Sequence, residues 1–443
     1  MGSFMLIRWV VLRACFIVLM AELHLALGLR DHLLIADLLQ GGVAGEGEDD
    51  GPPVWEGLCK ASVIPHGYKC DEFHVTSKDG YISGLQRIPE GLSSGDVAKK
   101  KPPVLVQHGI LTDGMSWMMG STKESLVFAL ADSGFDVWIS NTRGSRFSKK
   151  HVSLDESQPE YWNFSWDEVA ENDLPAIVDF VYNQTGQNLH YVGHSMGTTI
   201  AMAALSEGLL VDKLSSASFL SPIAYLTLMT NAAGIIASDA FLGELCELLG
   251  LDQLDPSKIL AIPKLLPNGQ LATMLFNNVA KRLGIDLPAL EAKLISQNCC
   301  LNSTAFQFYI DHALQPASVK TLVHFTQTLR NGVVKKYDYA SPDLNMKHYG
   351  KPEAPEYDLK NISKSLPLFF SYGGNDDLSD VNDVNHLLDD LSTHHRDKIK
   401  THFVPEFAHL DFVFAINVKE KVYDTMFDFI RAHSLKPEGE GEG

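Results

Sequence analysis

Ser195 stands between two glycines in Gly193-His194-Ser195-Met196-Gly197, directly after the β-favouring run Leu189-His190-Tyr191-Val192. A chain that turns sharply from strand to helix at a serine needs glycine two residues before it and two after. At those places any Cβ would collide with the neighbouring strand or helix. The turn leaves the hydroxyl exposed, and a hydroxyl so placed can attack an acyl carbon. Thr198-Thr199-Ile200-Ala201-Met202-Ala203-Ala204-Leu205 follows, rich in small residues that let a helix pack close to a sheet.

A serine hydroxyl is a poor nucleophile until an imidazole takes its proton, and the imidazole needs a carboxylate to fix its tautomer. After a strand–serine–helix turn, the acid and the histidine come later in the chain, in that order. Leu366 to Tyr372 reads as a strand, and Gly373-Gly374-Asn375-Asp376-Asp377 follows it, so Asp376 is the expected acid, with Asp377 or Asp380 as alternatives. Lys400 to Val404 reads as the next strand, and the loop Pro405-Glu406-Phe407-Ala408-His409 carries the expected base, His409. His386 and His402 fall within helix or strand patterns, and His394-His395 sits in a polar helix end. A tetrahedral intermediate also needs backbone amide donors. Met196, at the start of the helix, should supply one. Ile110, in the loop His108-Gly109-Ile110-Leu111, should supply the other, with Leu111 the alternative. The chemistry calls for no metal and no organic cofactor. The cysteines have no histidine nearby at zinc-ligand spacing.

These loops must be held by a sheet. Glu72 to Thr76 and Tyr81 to Ile88 flank Ser77-Lys78-Asp79-Gly80, whose Asp-Gly pair signals a hairpin. Strand-like runs recur at Val104 to Gln107, Phe135 to Ile139 and Ala217 to Leu220, each followed by a turn or a helical segment, and Val418 to His433 closes the chain as a helix. Strands alternating with helices imply a mostly parallel sheet flanked by helices. With the serine turn and the Ser, Asp, His order, the expected class is α/β, an α/β-hydrolase fold. Residues 225–350 break the alternation with helical stretches at Ala232 to Leu249 and Leu271 to Leu283, and read as a helical cap or lid over the sheet edge where ligands bind. The expected division is a core in two parts, 58–224 and 351–435, around a cap at 225–350.

The termini speak of export. Arg8 and Arg13, an apolar run from Ala14 to Ala21 and Ala26-Leu27-Gly28 read as a signal peptide, 1–28, with an apolar stretch too short to span a bilayer. Residues 29–57 form an acidic, Gly-rich leader and 436–443 a similar tail, both expected to be disordered. Cys59 and Cys70 are expected to form a disulfide around Ile64-Pro65-His66-Gly67-Tyr68, and a bond from Cys246 to Cys299 or Cys300 is plausible, leaving one thiol over. Asn163, Asn183, Asn302 and Asn361 begin N-glycosylation sequons. A formal net charge of −19 over 443 residues argues against nucleic acid and against adhesion to anionic membranes.

The chain resembles the acid lipases, the gastric and lysosomal type with their plant relatives, over nearly all of Cys59 to His433. The resemblance rests on Asp79-Gly80-Tyr81, Gln107-His108-Gly109-Ile110-Leu111, and Phe135 to Gly144 with its Asn141-Thr142-Arg143-Gly144 end. It continues through Tyr161 to Glu168, Asp173-Leu174-Pro175-Ala176, Leu189 to Ser195, Gly373-Gly374 with Asp376, and His409-Leu410-Asp411-Phe412. It is closest to the plant branch in Cys59 to Cys70, Tyr372-Gly373-Gly374 and Ser379 to Val384. It implies Asp376 and His409 as acid and base, neutral lipid esters (triacylglycerols, sterol esters) as substrates met at an emulsion or membrane interface, and a secreted or vacuolar/lysosomal glycoprotein without a transmembrane segment. Met196 departs from the glutamine usual in the animal enzymes. A soluble carboxylesterase or lipid acyltransferase with the same triad is the alternative, and a silent lipid-binding protein on the same fold a more distant one.

Overall fold

The computed structural model describes residues 57–92, 100–210, 212–227, 252–255, 298–309 and 313–434. The signal peptide, nearly all of the leader, the tail, Cys246 and the helical stretches expected at 232–249 and 271–283 lie outside the described residues.

The strands are β1 (Asp71–Thr76), β2 (Tyr81–Ile88), β3 (Pro103–Gln107), β4 (Asp136–Ser140), β5 (Lys150–His151), β6 (Leu189–His194), β7 (Leu214–Leu220), β8 (Gln253–Leu254), β9 (Ala317–Ser318), β10 (Leu368–Gly373) and β11 (Ile399–Val404). The main sheet runs β1-β2-β4-β3-β6-β7-β10-β11, with β5 beside β2, while β8 and β9 form a small antiparallel pair of their own. From β4 through β11 every pairing in the main sheet is parallel, whereas β1, β2 and β5 join antiparallel. The Asp-Gly hairpin forms as expected, with Gly80 at φ +97° where a side chain would be strained.

Side chains on a strand alternate between faces. Val104, Val106, Val137, Ile139 and Phe369 accordingly join one apolar core, and Leu105, Trp138, Leu368 and Phe370 join the other. Helices cover both faces, which is why these central strands read as continuous apolar runs. The closing helix packs Val422, Met426, Phe427 and Ile430 into the first core, while Leu174–Thr185 and Met196–Ser206 pack into the second.

Several motif residues prove to be structural. The buried Arg143 guanidinium pairs with Asp173 and with Asp79 of the hairpin turn, and lies 3.7 Å from the centre of the Tyr81 ring. Beyond it, Ser165 caps Trp166–Glu168 in a capping box, and the helix Val319–Asn331 docks there through Lys320 Nζ to Glu168 Oε1 at 2.9 Å and through His324 stacked on Trp166.

Cys59 and Cys70 are disulfide-bonded, as expected. The merely plausible bond to Cys246 is corrected: Cys299 pairs with Cys300, its immediate neighbour. A bend at these two residues brings both side chains to one side, a local geometry that cysteine spacing does not reveal.

Candidate active site

Parallel strands end on the same edge of a sheet. Ser195 follows β6, the Asp376 loop follows β10 and the His409 loop follows β11, so the three residues, far apart in sequence, meet at one edge. Ser195 has φ +53°, strained for a residue with a Cβ, and the turn closes only because its glycines are bare. A Cβ on Gly197 would stand 2.5 Å from the Gln107 carbonyl oxygen, and one on Gly193 would stand 2.9 Å from the Gly197 carbonyl.

His409 Nε2 lies 2.8 Å from Ser195 Oγ, and Nδ1 lies 3.0 and 3.1 Å from the two oxygens of Asp376. Asp376 is buried, and its Oδ1 also accepts from the amides of Leu378 and Ser379, at 2.9 and 2.8 Å. Burial alone would raise this carboxyl. The facing His409 outweighs it, with help from the Ser379 amide and the Ser221 hydroxyl, and holds the group below the ordinary carboxylate range. Asp380, one of the alternatives, caps the helix Val381–Asp390 by accepting from Asn382 N. Of the competing histidines, His402 bonds Ser371, His394 the Leu366 carbonyl, and His386 stacks on Tyr225.

Met196 is the first residue of its helix, so its N–H has no intrahelical acceptor and sits at the positive end of the helix dipole. Its side chain is buried in the same core as Tyr191 and Ile200, which accounts for an apolar residue at this position. Across the site the loop after β3 passes close: a Cβ on Gly109 would be 3.0 Å from Ser195 Cβ. Ile110 is next in that loop. Leu111, at φ +59°, has its carbonyl bound by Gln315 N at 3.0 Å.

Four neighbours escaped the sequence reading. Ser221, buried at φ +48° just past β7, donates from Oγ to Asp376 Oδ2 at 2.7 Å. No sequence signal marks it beyond its place after a strand. His194 precedes Ser195 and is buried; Nε2 donates to the His409 carbonyl at 3.0 Å. Burial, with His409 nearby, pushes its pKa down to about 3, so it is a neutral donor. His108 is likewise pushed down by burial to about 4; its Nδ1 donates to the Gly109 carbonyl and its Nε2 accepts from Thr142 N. Asp411, in the motif after His409, accepts from Ala408 N at 2.8 Å. Among the described residues no cluster of His, Cys, Asp and Glu could hold a metal ion.

Residues 60–121 match a family model described as a partial alpha/beta-hydrolase lipase region, and residues 102–242 match one described as the alpha/beta hydrolase fold. Triacylglycerol lipase 2 of Arabidopsis thaliana is 43% identical over 378 residues, 85% of this chain and 88% of that protein. The chain belongs to the acid lipase family. The human lysosomal acid lipase/cholesteryl ester hydrolase is 34% identical over 370 residues, 83% of this chain and 89% of its own length. A solved soluble variant of monoglyceride lipase from Saccharomyces cerevisiae superposes with a TM-score of 0.52 at 16% identity, over 83% of this chain and 96% of that one, a likeness of fold alone. This acid lipase is thus a carboxylic ester hydrolase on an α/β-hydrolase fold. Of its sequon asparagines, Asn163, Asn183 and Asn361 are exposed, while Asn302 is half-buried and donates from Nδ2 to Glu124 Oε2 at 3.1 Å.

Proposed function

We propose that the chain hydrolyses neutral lipid esters, triacylglycerols or sterol esters, with Ser195 as nucleophile, His409 as general base and then general acid, and Asp376 as the residue that orients His409. The carrying observation is the single imidazole lying between Ser195 Oγ and the Asp376 carboxylate. Asp376 accepts from Nδ1–H, which leaves Nε2 bare to take the serine proton as Oγ attacks the ester carbonyl. The amides of Met196 and Ile110 receive the oxyanion, each such donor being worth about 3 kcal/mol to the barrier. His409 returns the proton to the leaving alcohol, then deprotonates the water that releases the fatty acid from Ser195.

The substrate class is carried over from the relatives' names, triacylglycerol lipase and cholesteryl ester hydrolase. The protein enters the secretory pathway, acts outside the cell or in a vacuole or lysosome at a lipid interface, and carries glycans on the exposed Asn163, Asn183 and Asn361. Among the described residues no helix is long and apolar enough to cross a membrane. Residues 225–350 form the cap over the core. Ser195→Ala should lower hydrolysis of a triacylglycerol emulsion by on the order of 10⁴-fold or more. Undiminished hydrolysis refutes the nucleophile. A wild-type preference for dissolved short-chain esters over the emulsion, or for transfer to an added alcohol, refutes the lipase reading in favour of an esterase or acyltransferase.

A further inference from the structure

The segment 298–302, where the described chain resumes after 255, is laid along the loop that carries His409. Asn298 Oδ1 accepts from Leu410 N at 3.1 Å, Cys300 O accepts from Ile416 N at 2.9 Å, Leu301 bridges Ala415, and Asn302 N donates to Phe414 O at 3.0 Å. At the centre is Asp411, fully buried. Its carboxylate gathers Ala408 N at 2.8 Å, the amide just before His409, together with Cys299 N at 3.1 Å and Cys300 N at 3.3 Å. In an extended strand successive amides point to opposite sides. Here two successive amides converge on one carboxylate, which requires the bend at 299–300. The residues that make the bend are those joined by the Cys299–Cys300 bond, which closes a small covalent ring through their shared peptide.

We propose that the Cys299–Cys300 disulfide and Asp411 form a clamp, opened by reduction, that positions His409 for proton transfer. The inference rests on His409 being the general base. With the disulfide closed, both amides are pre-aimed at Asp411, and Asp411 in turn fixes the Ala408 amide at the root of the His409 loop. With it open, residues 299 and 300 recover the backbone freedom that the ring removes, and the convergence must be held against that entropy. Asp411 touches no reacting atom. It is a positioning residue, as are the two cysteines.

Reduction follows ordinary thiol–disulfide exchange. Cys299 is exposed while Cys300 is half-buried against the core, so a thiolate of a small dithiol attacks Cys299 Sγ and Cys300 leaves as a thiolate that takes a proton. The second thiol of the reagent then attacks the mixed disulfide and releases Cys299 as a thiol. Two electrons and two protons pass to the protein, and the reagent leaves as its own cyclic disulfide. In the other disulfide Cys59 is buried and Cys70 half-buried, so neither sulfur is presented to the reagent as Cys299 is.

The test uses the full glycoprotein. Alkylation without reduction, followed by peptide mass mapping, should find Cys299 and Cys300 unalkylated and their peptide lighter by two hydrogens than the dithiol form; two free thiols there overturn the proposal. A dithiol titrated until mapping shows this bond open and Cys59–Cys70 intact should lower kcat on a dissolved short-chain ester by roughly tenfold to a hundredfold with little change in KM, since small misplacements of a catalytic group act at that scale. Reoxidation should restore kcat, which a merely unfolded fraction would not do in step with the mapped bond. The Cys299→Ser/Cys300→Ser variant should sit at the reduced level in both states. Asp411→Asn keeps an acceptor for one set of amides and should fall between the two levels. Fluorophosphonate labelling of Ser195 separates the two failures. Labelling at one rate in both redox states overturns the clamp and leaves the triad standing, whereas no labelling of Ser195 in either state overturns the triad and the clamp with it.

Discussion

Replacing Asp376 with Asn changes one atom and should silence the enzyme without unfolding it. Oδ1 of Asp376 holds the amides of Leu378 and Ser379, and Oδ2 takes the Ser221 hydroxyl; both oxygens face His409 Nδ1. In Asp376→Asn the amide oxygen keeps the Leu378 and Ser379 donors, because nothing else in that turn can satisfy them. The NH₂ group is then left facing Ser221 and His409. Ser221 tolerates this, since a hydroxyl accepts as readily as it donates. His409 does not: an NH₂ donor stabilises the tautomer with Nδ1 bare and the proton on Nε2, which points at Ser195 Oγ and cannot take its proton. The imidazolium also loses the adjacent negative charge. Losing both functions of such an acid lowers kcat by on the order of 10⁴, about 5 kcal/mol at the barrier. Turnover of a dissolved short-chain ester and the rate of fluorophosphonate labelling should fall together, while the melting temperature stays near that of the wild type. Asp377→Asn is the matched control and should retain wild-type kcat. A well-folded Asp376→Asn protein within about tenfold of wild-type kcat would refute the assignment of the acid and the tautomer argument with it.

Two further substitutions probe the frame around the site. Gly197→Ala should lower the melting temperature and slow Ser195 labelling, because the new Cβ would stand 2.5 Å from the Gln107 carbonyl and 3.0 Å from that of His108. Overpacking against backbone costs roughly 1–3 kcal/mol, so a variant that melts with the wild type would contradict the close approach. Asp113 is fully buried just after the loop that carries Ile110, where burial pushes its carboxyl up to about 6 against the pull of Arg146, and its Oδ2 has no hydrogen-bond partner. The folded state therefore holds this proton more tightly than the unfolded chain does, and the stability that follows is complete below about pH 4 and lost as pH rises through about 6. Asp113→Asn cannot ionise, so its unfolding free energy relative to wild type should rise by about 2–3 kcal/mol between about pH 4 and about 7, and a flat or falling difference in chemical denaturation would count against the shift.

Much of the site could be read from residue types because its chemistry is local. A serine between glycines, and a carboxylate and a histidine each just past a strand, are patterns a few residues long, and chain order supplied the rest. The strands were legible for a similar reason: helices bury both faces of the sheet, which turns Val104 to Val106 or Leu366 to Phe370 into unbroken apolar runs. What escaped depends on contacts between segments far apart. Ser221 supports Asp376 from 155 residues away, and its hydroxyl is ordinary in sequence. His194 and Asp411 stood in plain view inside motifs, but their acceptor and donors, the His409 carbonyl and the Cys299 and Cys300 amides, are backbone groups that leave no trace in residue type. The Cys299–Cys300 bond was missed for the opposite reason. Adjacent cysteines are conspicuous, yet only the backbone bend decides whether they face each other or a distant partner.

Two segments, residues 298–302 and the chain at Gln315, reach both sides of the proposed catalytic site. On one side Gln315 N holds the carbonyl of Leu111, beside the amide proposed for the oxyanion, and Gln315 Oε1 accepts from Arg146 N at 2.9 Å. On the other, residues 298–302 bind the His409 loop through backbone groups and Asp411. Each of these contacts has a main-chain group on at least one side, and Gln315, Asn298 and Asp411 supply the side-chain partners, so the path of the chain is fixed mainly through its amides and carbonyls. The course of residues 298–302 and of the chain at Gln315 is therefore tied to the loops that carry His409 and Leu111, so a change in either path reaches the site through the backbone.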